Sequence, residues 1–186
     1  TYSRSLRASA VHPFFTLKAT MRLIHFLDGV TRLFGALAAL LILPLTFALV
    51  YEVFSRYVLN QPTLWAYEIS YMVMGALFML GMANALRLKQ HVSVDIVTLH
   101  LSVKTVAYLR TVFYLALIPL MFWLTWELAH YTYEAFARHE RSGRSAWNPV
   151  MWPVYTSWFI GFLLLALQLI SELLKNLLII TTGKEH

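Results

Sequence analysis

The chain has 186 residues, 59% of them hydrophobic and only 13% charged, with a formal net charge of +6 and no cysteine. A soluble domain carries about 25% charged residues, and here the apolar excess is gathered into long runs, which excludes an ordinary soluble fold. The lack of cysteine excludes disulfides, thiolate metal sites and cysteine nucleophiles. The positive charge flanks the apolar runs instead of forming a separate basic face, so no nucleic-acid partner is expected.

In chain order, the first element is an N-terminal arm, residues 1–32. Ala8-Ser9-Ala10 resembles a cleavage site but precedes the first apolar run, so no cleavable signal peptide is predicted. Within residues 13–32, helical spacing puts Lys18, Arg22, His25 and Arg32 on one stripe and Phe14, Leu17, Met21, Ile24 and Leu27 on the other. That pattern predicts an amphipathic interfacial helix, with Lys18, Arg22 and Arg32 facing the phospholipids of an anionic leaflet. An arm packed on another subunit is the alternative.

A transmembrane domain follows over residues 33–180, then a short tail, 181–186. Four runs, at about 33–54, 66–86, 106–128 and 154–176, each hold the roughly 20 residues that cross a ~30 Å hydrocarbon core as a helix. Lipid offers no backbone hydrogen bonds, so each run must be helical. The fold class is therefore an all-α integral membrane protein of four spans. Pro44 and Pro119 fall inside two spans and predict kinks. Ser102 is placed to cap the third span, and Asp95 to cap a short helix before it.

Eleven of the fifteen Lys and Arg residues fall on the side of the termini, and Arg56, Arg138, Arg141 and Arg144 on the other. Basic residues favour the cytoplasm, so both termini are expected there. All six tryptophans fall toward the opposite, outer half. Interfacial anchoring and a partner on that face are the two readings of this belt. The long outer loop, about 130–153, is either a functional feature or a solvated connector.

Chemistry is scarce. Glu52, Glu68 and Glu127 are expected near the outer ends of their spans, with Glu172 and Arg110 near inner ends. Proton relays and ion paths need ionisable groups at depth. None of the seven histidines lies mid-span, which disfavours haem ligation. No HExxH, P-loop or GxSxG motif occurs, so no enzyme class has a foothold. Gly35 with Ala39, and Gly81 with Ala85, form small-xxx-small pairs suited to close helix approach.

The most specific stretch runs from Arg56 to Asp95. It reads Arg56-Tyr57, then Asn60-Gln61-Pro62, Trp65-Ala66-Tyr67-Glu68, Gly81, and His91-Val92-Ser93-Val94-Asp95. It resembles the small membrane subunit of the tripartite ATP-independent periplasmic (TRAP) transporters, the DctQ-like family, over about residues 22–180. Tyr67 departs from the pattern, which often has a second acid there. The resemblance implies a non-catalytic scaffold subunit in a bacterial or archaeal cytoplasmic membrane. It further implies a large elevator-type membrane subunit and a periplasmic solute-binding protein as partners. No cofactor is expected in this chain, and sodium coupling is expected in the large subunit. Arg56, Pro62, Trp65, Glu68, Gly81, His91 and Asp95 become candidate structural or subunit-interface residues. Arg56 and Glu68 are placed to pair across the turn, and His91 and Asp95 to bond each other or cap a helix. The competing functions are a homo-oligomeric channel or carrier and a membrane-anchor redox subunit.

Overall fold

A computed structural model describes the backbone of residues 2–90 and 102–182, and side chains from Lys18 onward except at 103, 104 and 182. The expected roles of His91 and Asp95 lie outside the described residues. Five helices are described: α1 (Tyr2–Leu40), α2 (Ile42–Tyr57), α3 (Ala66–Arg87), α4 (Val103–Ala137) and α5 (Trp152–Thr182). They supply four segments long and apolar enough to cross a membrane: Lys18–Tyr57, Ala66–Arg87, Thr105–Ala137 and Trp152–Thr181. The chain is thus an all-α multi-pass membrane protein.

Helix α1 continues without interruption across the expected arm boundary at residue 32, and the break falls at Leu41. Pro44 explains its position. A proline has no N–H to donate to the carbonyl four residues back and its ring crowds that carbonyl, here that of Leu40. The Leu41 N–H instead reaches both Leu37 O at 3.2 Å and Ala38 O at 3.1 Å, a local tightening of the turn. Pro119 lies inside α4, which remains one helix. Ser102 caps α4 as expected, its hydroxyl oxygen accepting the Thr105 N–H at 3.2 Å.

Helix α5 is the centre of the bundle. It packs along α4 and α3 and, near the chain termini, against α1, while α2 lies chiefly on α3. Small side chains dominate the interior: Ala38, Ala48, Ala66, Ala83, Ala107, Ala135 and Ala166 are all buried. Large apolar groups such as Phe26, Phe47 and Phe113, each 67% exposed, point outward. That inversion is how membrane helices pack, because lipid gives no reason to hide Phe or Leu and small residues let backbones approach. Two glycines mark the tightest crossings. A Cβ on Gly161 of α5 would lie 2.5 Å from the Met79 carbonyl oxygen of α3, and one on Gly35 of α1 would meet the Asn84 side chain at 2.6 Å. Gly81 is looser, its notional Cβ standing 3.9 Å from that of Ala38.

Helix lengths are unequal. The 22 residues of α3 measure about 33 Å, just enough to cross, whereas the 35 of α4 reach about 52 Å. The excess in α4 is taken up by tilt or by projection beyond the hydrocarbon.

Candidate functional site

At the α2–α3 turn, polar groups converge on Glu52. Arg56, one helical turn on, donates its Nε–H to Glu52 Oε1 at 2.8 Å and also a terminal guanidinium N–H. The Thr63 N–H reaches Oε2 at 2.9 Å and the Thr63 hydroxyl donates to the same oxygen. Thr63 Oγ1 accepts the Ala66 N–H at 3.3 Å and so leads into α3. The Tyr51 ring stacks between Phe47 and Trp65, with centroids 6.0 and 5.7 Å apart. Asn60 takes the left-handed conformation, φ 54°, that the tight exit from α2 requires. Pro62 is exposed and Trp65 half-buried.

The expected Arg56–Glu68 pair is therefore not formed. Glu52 captures Arg56 because an i,i+4 partner on the same helix needs no chain closure. Glu68 faces inward at 2% exposure, and its Oε1 has no hydrogen-bond partner among the described residues. Helical spacing puts it on one stripe with Met72, Gly75 and Met79. Gly75 and Met79 meet Trp158 and Gly161 of α5.

A second cluster joins α1 to α5 near the termini. Asp28 Oδ1 accepts hydrogen bonds from Gln168 Nε2 at 3.0 Å, Ser171 Oγ at 2.9 Å and Lys175 Nζ at 3.0 Å. The ammonium also lies 2.8 Å from Asp28 Oδ2 and 2.7 Å from Glu172 Oε1. Gln168 donates to Glu172 Oε1 at 3.1 Å and accepts from Thr31 Oγ1 at 2.8 Å. Gln168 and Ser171 are fully buried, and Thr31 and Glu172 nearly so. One ammonium shared by two carboxylates, with amide and hydroxyl donors filling other acceptor sites, is an internally satisfied network. Such an arrangement fixes two helices together and leaves little capacity for a ligand. Asp28, Gln168 and Ser171 were not among the sequence candidates. The readable signal was the spacing 168, 171, 172, 175, 176, a polar stripe along an otherwise apolar helix.

The α4–α5 loop is folded back on itself. The Ser142 N–H bonds Pro149 O and the Met151 N–H bonds Glu140 O, both at 3.0 Å, flanking a bridge between Arg141 and Val150. Asn148 accepts the Gly143 N–H on its side chain at 2.9 Å and an Arg141 guanidinium N–H on its carbonyl at 3.0 Å. The Tyr155 hydroxyl donates to Glu140 Oε1 at 3.0 Å, and the Arg144 guanidinium stands 4.6 Å above the Tyr71 ring of α3. The loop is thus tied to α3 and α5.

On α1, Arg22 and Arg32 are exposed, and Lys18, Met21, Arg22 and His25 line a shallow open depression. His25 Nδ1 donates to the Met21 carbonyl at 2.7 Å. Among the described residues no group of His, Asp and Glu could hold a metal ion.

Fold and sites together define a multi-pass helical membrane protein whose main polar clusters serve to join its own helices. The family model described as "Tripartite ATP-independent periplasmic transporters, DctQ component" matches residues 45–178, well over half of the chain, and the chain belongs to that family. The match covers α3, α4 and most of α2 and α5, and begins beyond Asp28 and Thr31. No individual curated protein and no solved structure matches the chain.

Proposed function

We propose that the chain is the non-catalytic small subunit of a TRAP transporter, a fixed brace for a large elevator-type membrane subunit. In this reading the large subunit moves the solute, often an organic acid, with sodium, and a periplasmic binding protein delivers it. The chain lies in a bacterial or archaeal cytoplasmic membrane with both termini inside, as its basic flanks favour. The observation that carries the reading is the α1–α5 cluster: Asp28, Glu172 and Lys175, the charges one would enlist for coupling, are engaged with each other. A brace must be rigid, and glycine-tight crossings at Gly35 and Gly161 serve the same end.

Reconstitution tests it. Liposomes containing this chain alone should take up no solute in a sodium gradient, whereas the chain with its large subunit and binding protein should. Uptake by the chain alone, or full uptake by the large subunit without it, would sink the proposal.

A further inference from the structure

The arginines at the two ends of the bundle differ in their surroundings. At the end away from the termini the chain engages its own: Arg56 with Glu52, Arg138 with Glu134, Arg141 with the Asn148 carbonyl and Arg144 with the Tyr71 ring. On α1, Arg22 and Arg32 are exposed, and neither makes a hydrogen bond or ion pair with the described residues. The acid nearest in sequence, Asp28, is turned to α5 and held by Gln168, Ser171 and Lys175. No carboxylate among the described residues answers these two cations.

Gly29 stands within the same stripe. At 100° per residue it falls on the face of His25 and Arg32. It is exposed, and a Cβ there would meet nothing within 4 Å. Packing therefore does not call for glycine, which costs about 1 kcal/mol against alanine inside a helix. Helical side chains lean over the turn that precedes them, so Arg32 is placed over the gap that Gly29 leaves.

An apolar stripe adjoins the basic one: Leu33, Leu37 and Leu40 are 59%, 44% and 59% exposed. By sequence, Ile24 and Leu27 are the lipid-facing residues of the arm, but both are buried, on the side of Thr31 that meets α5. Lipid thus meets the other flank of α1, where cations and exposed leucines lie side by side. Gly35 meets Asn84, so Arg32, one turn earlier, is level with the end of α3 at Arg87. Helix α3 needs nearly its whole length to cross, which puts that level at the membrane boundary.

We infer that this notch of α1 binds an anionic phospholipid. The phosphate sits in the gap at Gly29 and accepts hydrogen bonds from Arg32, a planar donor suited to phosphate. The acyl chains run along Leu33, Leu37 and Leu40. Arg22, on the same stripe, favours a net negative headgroup over a zwitterionic one. A soluble acidic partner is the poorer occupant, because it would leave the leucines uncovered. The site precedes the residues that the family model matches, and it is independent of the proposed function.

Native mass spectrometry of the detergent-purified full chain tests it, by titration with phosphatidylglycerol or phosphatidylcholine of the same acyl chains. The first phosphatidylglycerol should bind several-fold tighter than the first phosphatidylcholine. Arg32→Gln should weaken it roughly tenfold, as loss of a charge-assisted hydrogen bond does, with the melting temperature unchanged. Gly29→Ala should also weaken it, yet melt at or above the wild-type temperature, a combination that a glycine needed for packing would not give. Equal affinity for the two lipids, or unchanged affinity in either variant, overturns the inference. Equal stabilisation by inorganic phosphate alone would assign the site to a free anion. Loss of phosphatidylglycerol whenever a membrane partner co-purifies would assign the stripe to that partner. Either result overturns it as well.

Discussion

Glu52 is the side chain that ties Thr63 and Arg56 together at the α2–α3 turn, beside a second tie between Ser55 and the Gln61 backbone. Glu52→Ala should therefore lower the melting temperature in detergent by a few degrees. Arg56→Ala should lower it less, because the Arg56 side chain is 56% exposed and such i,i+4 pairs contribute little. Equal losses would show that the ion pair, and not the link to Thr63, holds the turn. Glu68 leads to the opposite expectation. A buried carboxylate oxygen without a donor is destabilising when charged. Glu68→Gln should leave the melting temperature unchanged or raise it, and a clear fall would reveal an ionic partner. At this scale the sequence was half-legible. Proximity across a short turn made Arg56 and Glu68 look like a pair. The nearer spacing of Glu52 and Arg56, and the inward face of the Trp65-to-Glu68 turn, decided otherwise.

Among the elements, α5 carries most of the packing, and two of its positions can be tested. Gly161→Ala puts a methyl group against the Met79 carbonyl, so α3 and α5 must separate. The expected loss is about 1–3 kcal/mol by analogy with overpacked cores, read by thermal or denaturant unfolding. Lys175→Met leaves Asp28 and Glu172 without their shared cation. It should destabilise by roughly 3–5 kcal/mol. Asp28→Asn should destabilise less, because Lys175 keeps Glu172. The reverse order would mean that Asp28, not the lysine, organises the cluster. The existence of the spans was plain in the sequence, since runs of about 20 apolar residues have one solution in lipid. Their inward faces were not, because a membrane helix is apolar all round. What marks the inner face is small or polar: Gly161 and Ala166 on one part of α5, Gln168 and Ser171 on the next. Likewise the α1–α2 break could be tied to Pro44 in advance, but the unbroken run from arm to span could not. No residue around position 32 stops a helix.

For the whole molecule, the stretch from Arg56 to Asp95 made the family readable, and the family model agrees over residues 45–178. If the chain is a brace, variants that loosen it should act through assembly. Lys175→Met should therefore lower uptake in reconstituted vesicles in proportion to the lost complex, with the solute's half-saturation concentration unchanged. A shifted half-saturation value at full assembly would instead give this subunit a hand in solute recognition.

The knot between α1 and α5 also has a consequence in time. Asp28 and Lys175 are 147 residues apart, so the acid is translated and inserted long before its counter-charge leaves the ribosome. Until the last helix arrives, Asp28 and Thr31 lack the partners they have in the finished bundle, and α1 has no α5 to hold it. A chain cut short before α5 would leave that polar spot of its first helix without these partners. The ion pair can close only once α5 has been made.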